Sequence, residues 1–245
     1  VDGLKTKSTD IQMAAGQKLT VEGKLNSTGD TKIEADDLDL GNNKVNVGNQ
    51  LTLEKATKTQ AINVGTNAGD WNINNANYGK IKIGDSDQDA DINIKGATFK
   101  NPSDIETKKK VVLTGATKAG ANGGSDMKIK AKTAELPTTA DTLAVKNLDL
   151  NLSGGLDLGQ GKVKGAADGK ITIKGASASQ DIVISDNPSH ASGGEYRIAY
   201  RTINETLEGF KGFDVAGEKH VYFYGGSVKK SINAAGKLGV EVRDN

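Results

Sequence analysis

The sequence predicts an all-β chain wound as a parallel β-solenoid from many short strands. Three observations predict it. First, one small motif recurs along most of the chain: a branched apolar residue, a polar residue, a second apolar residue, then Gly, Asn or Asp. Leu19-Thr20-Val21, Leu38-Asp39-Leu40, Val45-Asn46-Val47, Leu51-Thr52-Leu53 and Ile62-Asn63-Val64 are early copies, and Ile171-Thr172-Ile173 and Ile182-Val183-Ile184 are late ones. Such alternation marks a short strand with one buried face. Second, no window carries an apolar stripe at helical spacing. Third, aromatics make up only 4% of the 245 residues, which suits a narrow core.

Strands arriving every ~6 to 11 residues admit either a sandwich or a solenoid. The copies here are short and bring only two or three apolar side chains each. A solenoid coil turns through two or three such strands and hydrogen-bonds to the next coil. A longer repeat points the same way. Gly79-Lys80-Ile81-Lys82-Ile83 leads to Asp91-Ile92-Asn93-Ile94, and Gly169-Lys170-Ile171-Thr172-Ile173 leads to Asp181-Ile182-Val183-Ile184. At ~20 to 23 residues per coil the two blocks lie about four coils apart. The expected organisation is a solenoid over residues 1–186, roughly eight or nine coils and roughly 40 Å long at the strand spacing of a sheet, then an aromatic-rich terminal β segment over 187–245.

That second segment holds seven of the ten aromatic residues: Tyr196, Tyr200, Phe210, Phe213, Tyr222, Phe223 and Tyr224. One reading makes it the cap that covers the open end of the stack. The other makes these seven residues an interface for a ligand or a subunit, a use to which Tyr and Phe clusters are well suited.

Charge and composition narrow the function classes. Thirty-two basic and 31 acidic residues leave a net charge of +1, so no long-range field draws in nucleic acid. The nearest basic run, Lys108-Lys109-Lys110, reads as a solvated strand edge. The chain has no cysteine, which rules out disulfides and thiol chemistry. No apolar run approaches the ~20 residues of a membrane helix, so no membrane insertion is expected. The chain starts at Val1 with no leader pattern, as expected if a signal was removed or the sequence is an excerpt.

Catalytic signatures are missing. His190 and His220 sit in no metal-binding spacing, and no nucleophile elbow, phosphate loop or dinucleotide fingerprint is present. The chain is expected not to be an enzyme, with a polysaccharide-active β-helix as the trailing alternative. The run Asp85-Ser86-Asp87-Gln88-Asp89-Ala90-Asp91 offers alternate carboxylates. Asp85, Asp87 and Asp89 suit Ca²⁺, the one cofactor considered, in oxygen chemistry. The Gly and Glu of a complete EF-hand loop are replaced by Ala90 and Gly96, and the competing reading is a solvated turn. Sequons occur at Asn26, Asn151 and Asn204, a short pattern that Asn-rich chains produce by chance. Asn72, Asn74, Asn75 and Asn77 fall on outward or turn positions, where stacked Asn side chains can bond along a solenoid.

The stretch Gly69-Asp70-Trp71-Asn72-Ile73-Asn74-Asn75-Ala76-Asn77-Tyr78-Gly79-Lys80-Ile81-Lys82-Ile83-Gly84-Asp85, with Ile92-Asn93-Ile94 and Gly96 after it, resembles a repeat of filamentous-haemagglutinin-like surface proteins of Gram-negative bacteria. Ile81 and Ile83 arrive sooner than in a typical copy, and the resemblance covers about 30 residues. It implies a right-handed parallel β-helix, export through the outer membrane, and a role in adhesion or biofilm matrix. It implies no catalytic residues. The expected partners are a surface glycan, a protein receptor, or copies of the chain itself. The rival expectation is a filament or surface-layer subunit joined head-to-tail through the solenoid ends.

Overall fold

A computed structural model of the chain describes residues 4–42, 44–74, 76–137, 142–157, 162–175, 181–191, 196–199, 203–204, 207–227 and 231–243. The fold is an all-β solenoid in which every named strand pairing is parallel. The front sheet runs the length of the molecule. Its rungs are Thr9–Gln12, Thr31–Glu34, 51–54, 81–83, Ser103–Glu106, 127–130, 148–152, 170–174, 212–216 and Ile232–Gly236. Ten rungs at the ~4.8 Å strand spacing make a stack about 50 Å long.

Alternation decides which side chains go inside. Ile33, Leu53, Ile83, Ile105, Ile129, Leu150, Ile173 and Val215 occupy one register position on successive front rungs, and all are buried. Each contributes about 1.5–3 kcal/mol of burial. Two further columns close the coil. One holds Ile62–Gly65, Ile92–Lys95, Lys110–Thr114 and the end of Met127–Glu135. The other holds Thr98–Phe99, Thr117–Ala119, Thr142–Val145, Lys162–Gly165 and Leu207–Glu208. The two expected repeat blocks are four rungs apart: Ile81 pairs Ser103, then Met127, Leu148 and Ile171 in turn.

Corners need backbone that L-residues avoid. Gly84 has φ +73° at the end of its rung, and a Cβ there would lie 2.3 Å from the Glu106 carbonyl oxygen of the next coil. Only glycine fits. Gly165 serves differently. A Cβ on it would lie 2.3 Å from the Phe210 ring, so the bare glycine is the seat on which Phe210 packs.

Outward positions are tied from coil to coil. Asn46 donates to Asn26 at 2.9 Å and accepts from Asn77 at 2.8 Å, and Lys100 closes this Asn ladder on Asn77. Asn93 repeats the arrangement on Asn63 at 2.9 Å. Opposite charges alternate along the front face, as in Lys32–Glu54, Lys82–Glu106 and Lys130–Glu106 at 2.8–3.0 Å. A slip by one residue would lose these cross-strand contacts and expose the buried stack.

The front sheet does not end at residue 186. Its rung 170–174 pairs with 212–216, which pairs with Ile232–Gly236. Between them the chain makes an excursion. Ile182–Ile184 has two partners, His220–Tyr224 on one side and Tyr196–Ile198 on the other. The latter strand also lies beside Leu148–Asp157. A strand later in sequence is thus interleaved beneath an earlier one. Gly239–Arg243 completes this sheet beyond His220–Tyr224.

Candidate functional site

The outer surface of the last sheet gathers the two histidines and the outward aromatics. Asp181 and Ser185 flank one strand, His220, Tyr222 and Tyr224 alternate along the next, and Glu241 and Arg243 lie on the third. The register sets Asp181 beside His220, Tyr222 beside Glu241, and Tyr224 beside Arg243. Val221 between them is fully buried, so alternation forces Tyr222 and Tyr224 outward.

These side chains form a stack. His220 lies on Tyr222 with ring centroids 5.3 Å apart, and the Arg243 guanidinium sits 3.7 Å from the Tyr222 centroid. Arg243 also donates to the Tyr224 hydroxyl at 3.2 Å and to Glu241 at 3.1 Å. His190 stacks on Tyr224 at 4.0 Å. Its Nδ1 is 2.8 Å from Ser185 Oγ, and its Nε2 is 3.3 Å from Asn187 Nδ2. The amide nitrogen can only donate, so Nε2 accepts and Nδ1–H points to the serine. His220 Nδ1 lies 3.4 Å from Asp181, and its Nε2 is 3.9 Å from Glu241. The result is a partly exposed ledge in which π and cationic groups are stacked on one another, with carboxylates at its margin.

The seven sequence candidates divide. Tyr196, Phe210 and Phe213 are core residues, exposed by 1%, 6% and 1%. Phe223 packs against the core. Tyr222 and Tyr224 are on the ledge. Tyr200 lies outside the described residues. Composition alone pointed to the region, but not to His190, Asp181, Glu241 or Arg243, which only the register brings together.

Asp85, Asp87 and Asp89 do not converge. Asp85 Oδ2 pairs with Lys58 at 2.7 Å, Asp87 with Lys108 at 3.2 Å and Asp89 with Lys109 at 3.1 Å. Asp85 Oδ1 accepts from the backbone of Asp87 and Gln88 at 2.8 Å each. Burial opposes its ionisation, but bonds within the Glu54, Lys58 and Asp87 cluster win and hold its carboxyl well below the usual range. Gln88, in the middle of the run, is fully buried and donates to the Gln60 carbonyl at 2.7 Å. Among the described residues, no group of three or more His, Cys, Asp or Glu side chains is placed to hold a metal ion.

Two shallow depressions lie on the front face, of about 250 and 220 Å³. Glu106, Lys130 and Asn151 line both. Burial raises the Glu106 pKa, but Lys130 and Lys82 outweigh it and hold the group below its usual value. A carboxylate so paired stays ionised and has no proton to give to a leaving group. No helix of the described residues is long and apolar enough to cross a membrane. Comparison of the chain with family models, with curated proteins and with solved structures gives no match.

Proposed function

We propose that this chain is a non-catalytic extracellular surface protein, acting in bacterial adhesion or biofilm matrix, that carries a binding ledge on a rigid rod. The observation behind this reading is the ledge of His190, His220, Tyr222, Tyr224 and Arg243. The hydroxyls of Tyr222 and Tyr224, the imidazoles, the guanidinium and the marginal carboxylates suit hydrogen bonding to the hydroxyls of a sugar or to the side chains of a receptor protein. The ledge stands on a four-stranded parallel sheet whose outer strand, Tyr196–Ile198, lies beside Leu148–Asp157 of the rod. The chain's resemblance to filamentous-haemagglutinin-like repeats adds the extracellular setting and export from a Gram-negative cell.

Two features speak against the polysaccharide-active alternative. Glycoside hydrolysis asks for a pair of carboxyls with one held protonated. Glu106, which lines both front depressions, is shifted the other way by Lys130 and Lys82. The front depressions are also smaller than the ~300–1,000 Å³ of typical ligand pockets.

The test is binding of the purified chain to a glycan array and to host-cell and matrix surfaces, with Tyr222→Ala and Arg243→Ala alongside. Retention by the wild type and loss of about tenfold or more in both variants is expected, since the two groups form one stack. Unchanged binding in both variants would remove the ledge from the account. Release of reducing ends from a glycan panel would overturn the non-catalytic reading.

A further inference from the structure

The outward side chains of the front sheet form two columns down the rod. Their charges are arranged about the gap between Ser103–Glu106 and the rung 127–130. In the first column, Asp104, Lys82, Thr52 and Lys32 follow one another away from the gap in one direction. Lys128, Asp149, Thr172 and Asp214 follow in the other. At each step a charge on one side has its opposite at the same distance on the other side, and threonine matches threonine.

The second column obeys the same rule. It runs Glu106, Gly84, Glu54 and Glu34 one way, and Lys130, Asn151, Lys174 and Ala216 the other. Like charges never lie at equal distances from the gap. Attraction between adjacent rungs accounts for the alternation of Lys82, Asp104, Lys128 and Asp149. It does not account for Lys32 against Asp214 or Glu54 against Lys174, which lie far apart on the rod and never meet within one chain.

A two-fold axis along the strand direction through that gap lays the front face of a second copy on this one, with the rods antiparallel. Each column then faces itself reversed. Asp104 meets Lys128, Lys82 meets Asp149, Lys32 meets Asp214, Glu106 meets Lys130 and Glu54 meets Lys174. Each pair forms twice, because the contact is isologous. The axis crosses the shallow depression of about 220 Å³ lined by Asp104, Glu106, Lys128 and Lys130. Lys128 is exposed there and has no ion-pair partner among the described residues. Other members already hold partners within the chain, such as Lys82 on Glu106 at 3.0 Å and Lys174 on Asp149 at 3.4 Å, so docking joins these pairs into networks. The rungs from Thr31–Glu34 to 212–216, at ~4.8 Å each and ~15 Å wide, cover about 600 Å² on each copy. A total of about 1,200 Å² lies at the lower bound of specific interfaces and fits a reversible dimer.

We propose that the front face is a docking surface for a second copy of this chain, which lies on it antiparallel about a two-fold axis between Asp104 and Lys128. Charge complementarity sets the register of the two rods, because sliding one rod by a single rung brings Asp104 onto Asp149. The match lies in the middle of the rod and involves neither the first nor the last rung. It does not depend on the ledge binding any ligand.

The test is sedimentation equilibrium of the 245-residue protein from about 1 to 200 μM, where a dimer should grow by mass action. It is run at about 0.05 M and about 0.5 M salt, since screening should weaken a contact made of charges. Asp104→Lys sets lysine against Lys128 at both symmetric positions, and Lys128→Asp sets aspartate against Asp104. Each variant alone should dimerise at least tenfold more weakly than the wild type at low salt. An equimolar mixture of the two should recover the wild-type dimer, because every contact across the axis is again between opposite charges. Should Asp104→Lys lose its β circular-dichroism spectrum, Lys82→Asp and Asp149→Lys supply the same test one rung further out. A wild type that stays monomeric at low salt throughout the range overturns the proposal. So does a dimer that survives both single variants, or a mixture that associates no better than its components.

Discussion

Replacing Asp36 by Asn isolates what one buried carboxylate does for the first coils. The residue is 7% exposed. Its Oδ1 accepts the Thr57 backbone N–H at 2.6 Å, and its Oδ2 accepts the Thr57 hydroxyl at 2.6 Å together with the Gly16 backbone N–H. Three successive coils thereby meet at one side chain. Asparagine keeps one acceptor and turns an NH₂ group toward the Gly16 N–H. The loss is one charge-assisted bond, about 1.5–3 kcal/mol, plus an unsatisfied donor at about 1–3 kcal/mol. A net cost of about 3 kcal/mol is expected at pH 7, confined to these coils because a solenoid couples mainly neighbours. Hydrogen exchange by mass spectrometry should show peptides around Gly16 and Thr57 opening about 100-fold faster, with those beyond residue 100 unchanged.

The sign of the pH effect follows from the same site. Burial pushes the Asp36 carboxyl up, but bonds from Thr57 and Gly16 and the charge of Lys55 leave it below its ordinary value. A depressed folded pKa stabilises above the unfolded value of about 3.9 and is lost as pH falls through the folded one. The gap between wild type and D36N should therefore narrow below about pH 4. Equal exchange in the two proteins at pH 7, or a gap that widens in acid, would refute the reasoning.

Further outcomes follow from other contacts. Gly84→Ala should cost about 2 kcal/mol or more in urea melts, since it combines a left-handed backbone with a Cβ driven into the Glu106 carbonyl; a neutral result would mean that the corner can rotate. Lys58→Met should leave Glu54 and Asp85 facing one another without their shared cation. Lying between the surface and buried limits for an ion pair, it should cost about 2 kcal/mol. In the wild type, millimolar calcium should leave the melting temperature unmoved, because Lys58, Lys108 and Lys109 already pair with the three carboxylates; a rise on calcium addition and its reversal by chelator would support the calcium reading instead. Asn46→Leu should interrupt the ladder between Asn26 and Asn77 and lower stability by about 1–2 kcal/mol, which the same melts would show.

What was legible in the sequence is what repeats locally. Ile81 and Ile83 alternate with lysines, so their burial and their place in a strand could be read directly, and the second copy at Ile171 and Ile173 gave the count of coils between them. The lysine partners of the Asp85 run were not legible. Lys108 and Lys109 belong to the next coil, and the contact depends on register, which a linear reading does not supply. The same holds for Asp36, one of several acids around Asp37-Leu38, whose role shows only when Gly16 and Thr57 are stacked on either side. Among the aromatics, Phe210 reads like Tyr222. What separates them is a neighbour: Gly165 leaves a seat for the Phe210 ring, while Tyr222 follows a buried Val221 and must face out.

The interleaved strand carries a consequence for how the molecule is made. Along most of the rod, each new coil finds its template already built, so winding can proceed in chain order as the polypeptide emerges. At Ile182–Ile184 it cannot. The template for that rung is Tyr196–Ile198, which comes later in sequence. A chain delivered from its amino terminus therefore holds a gap at Leu148–Asp157 until residue 198 arrives, and only then can the three terminal strands be laid down. Synthesis should pause the winding at this point, and a stretch released before residue 198 should present its longest-lived sticky edge there.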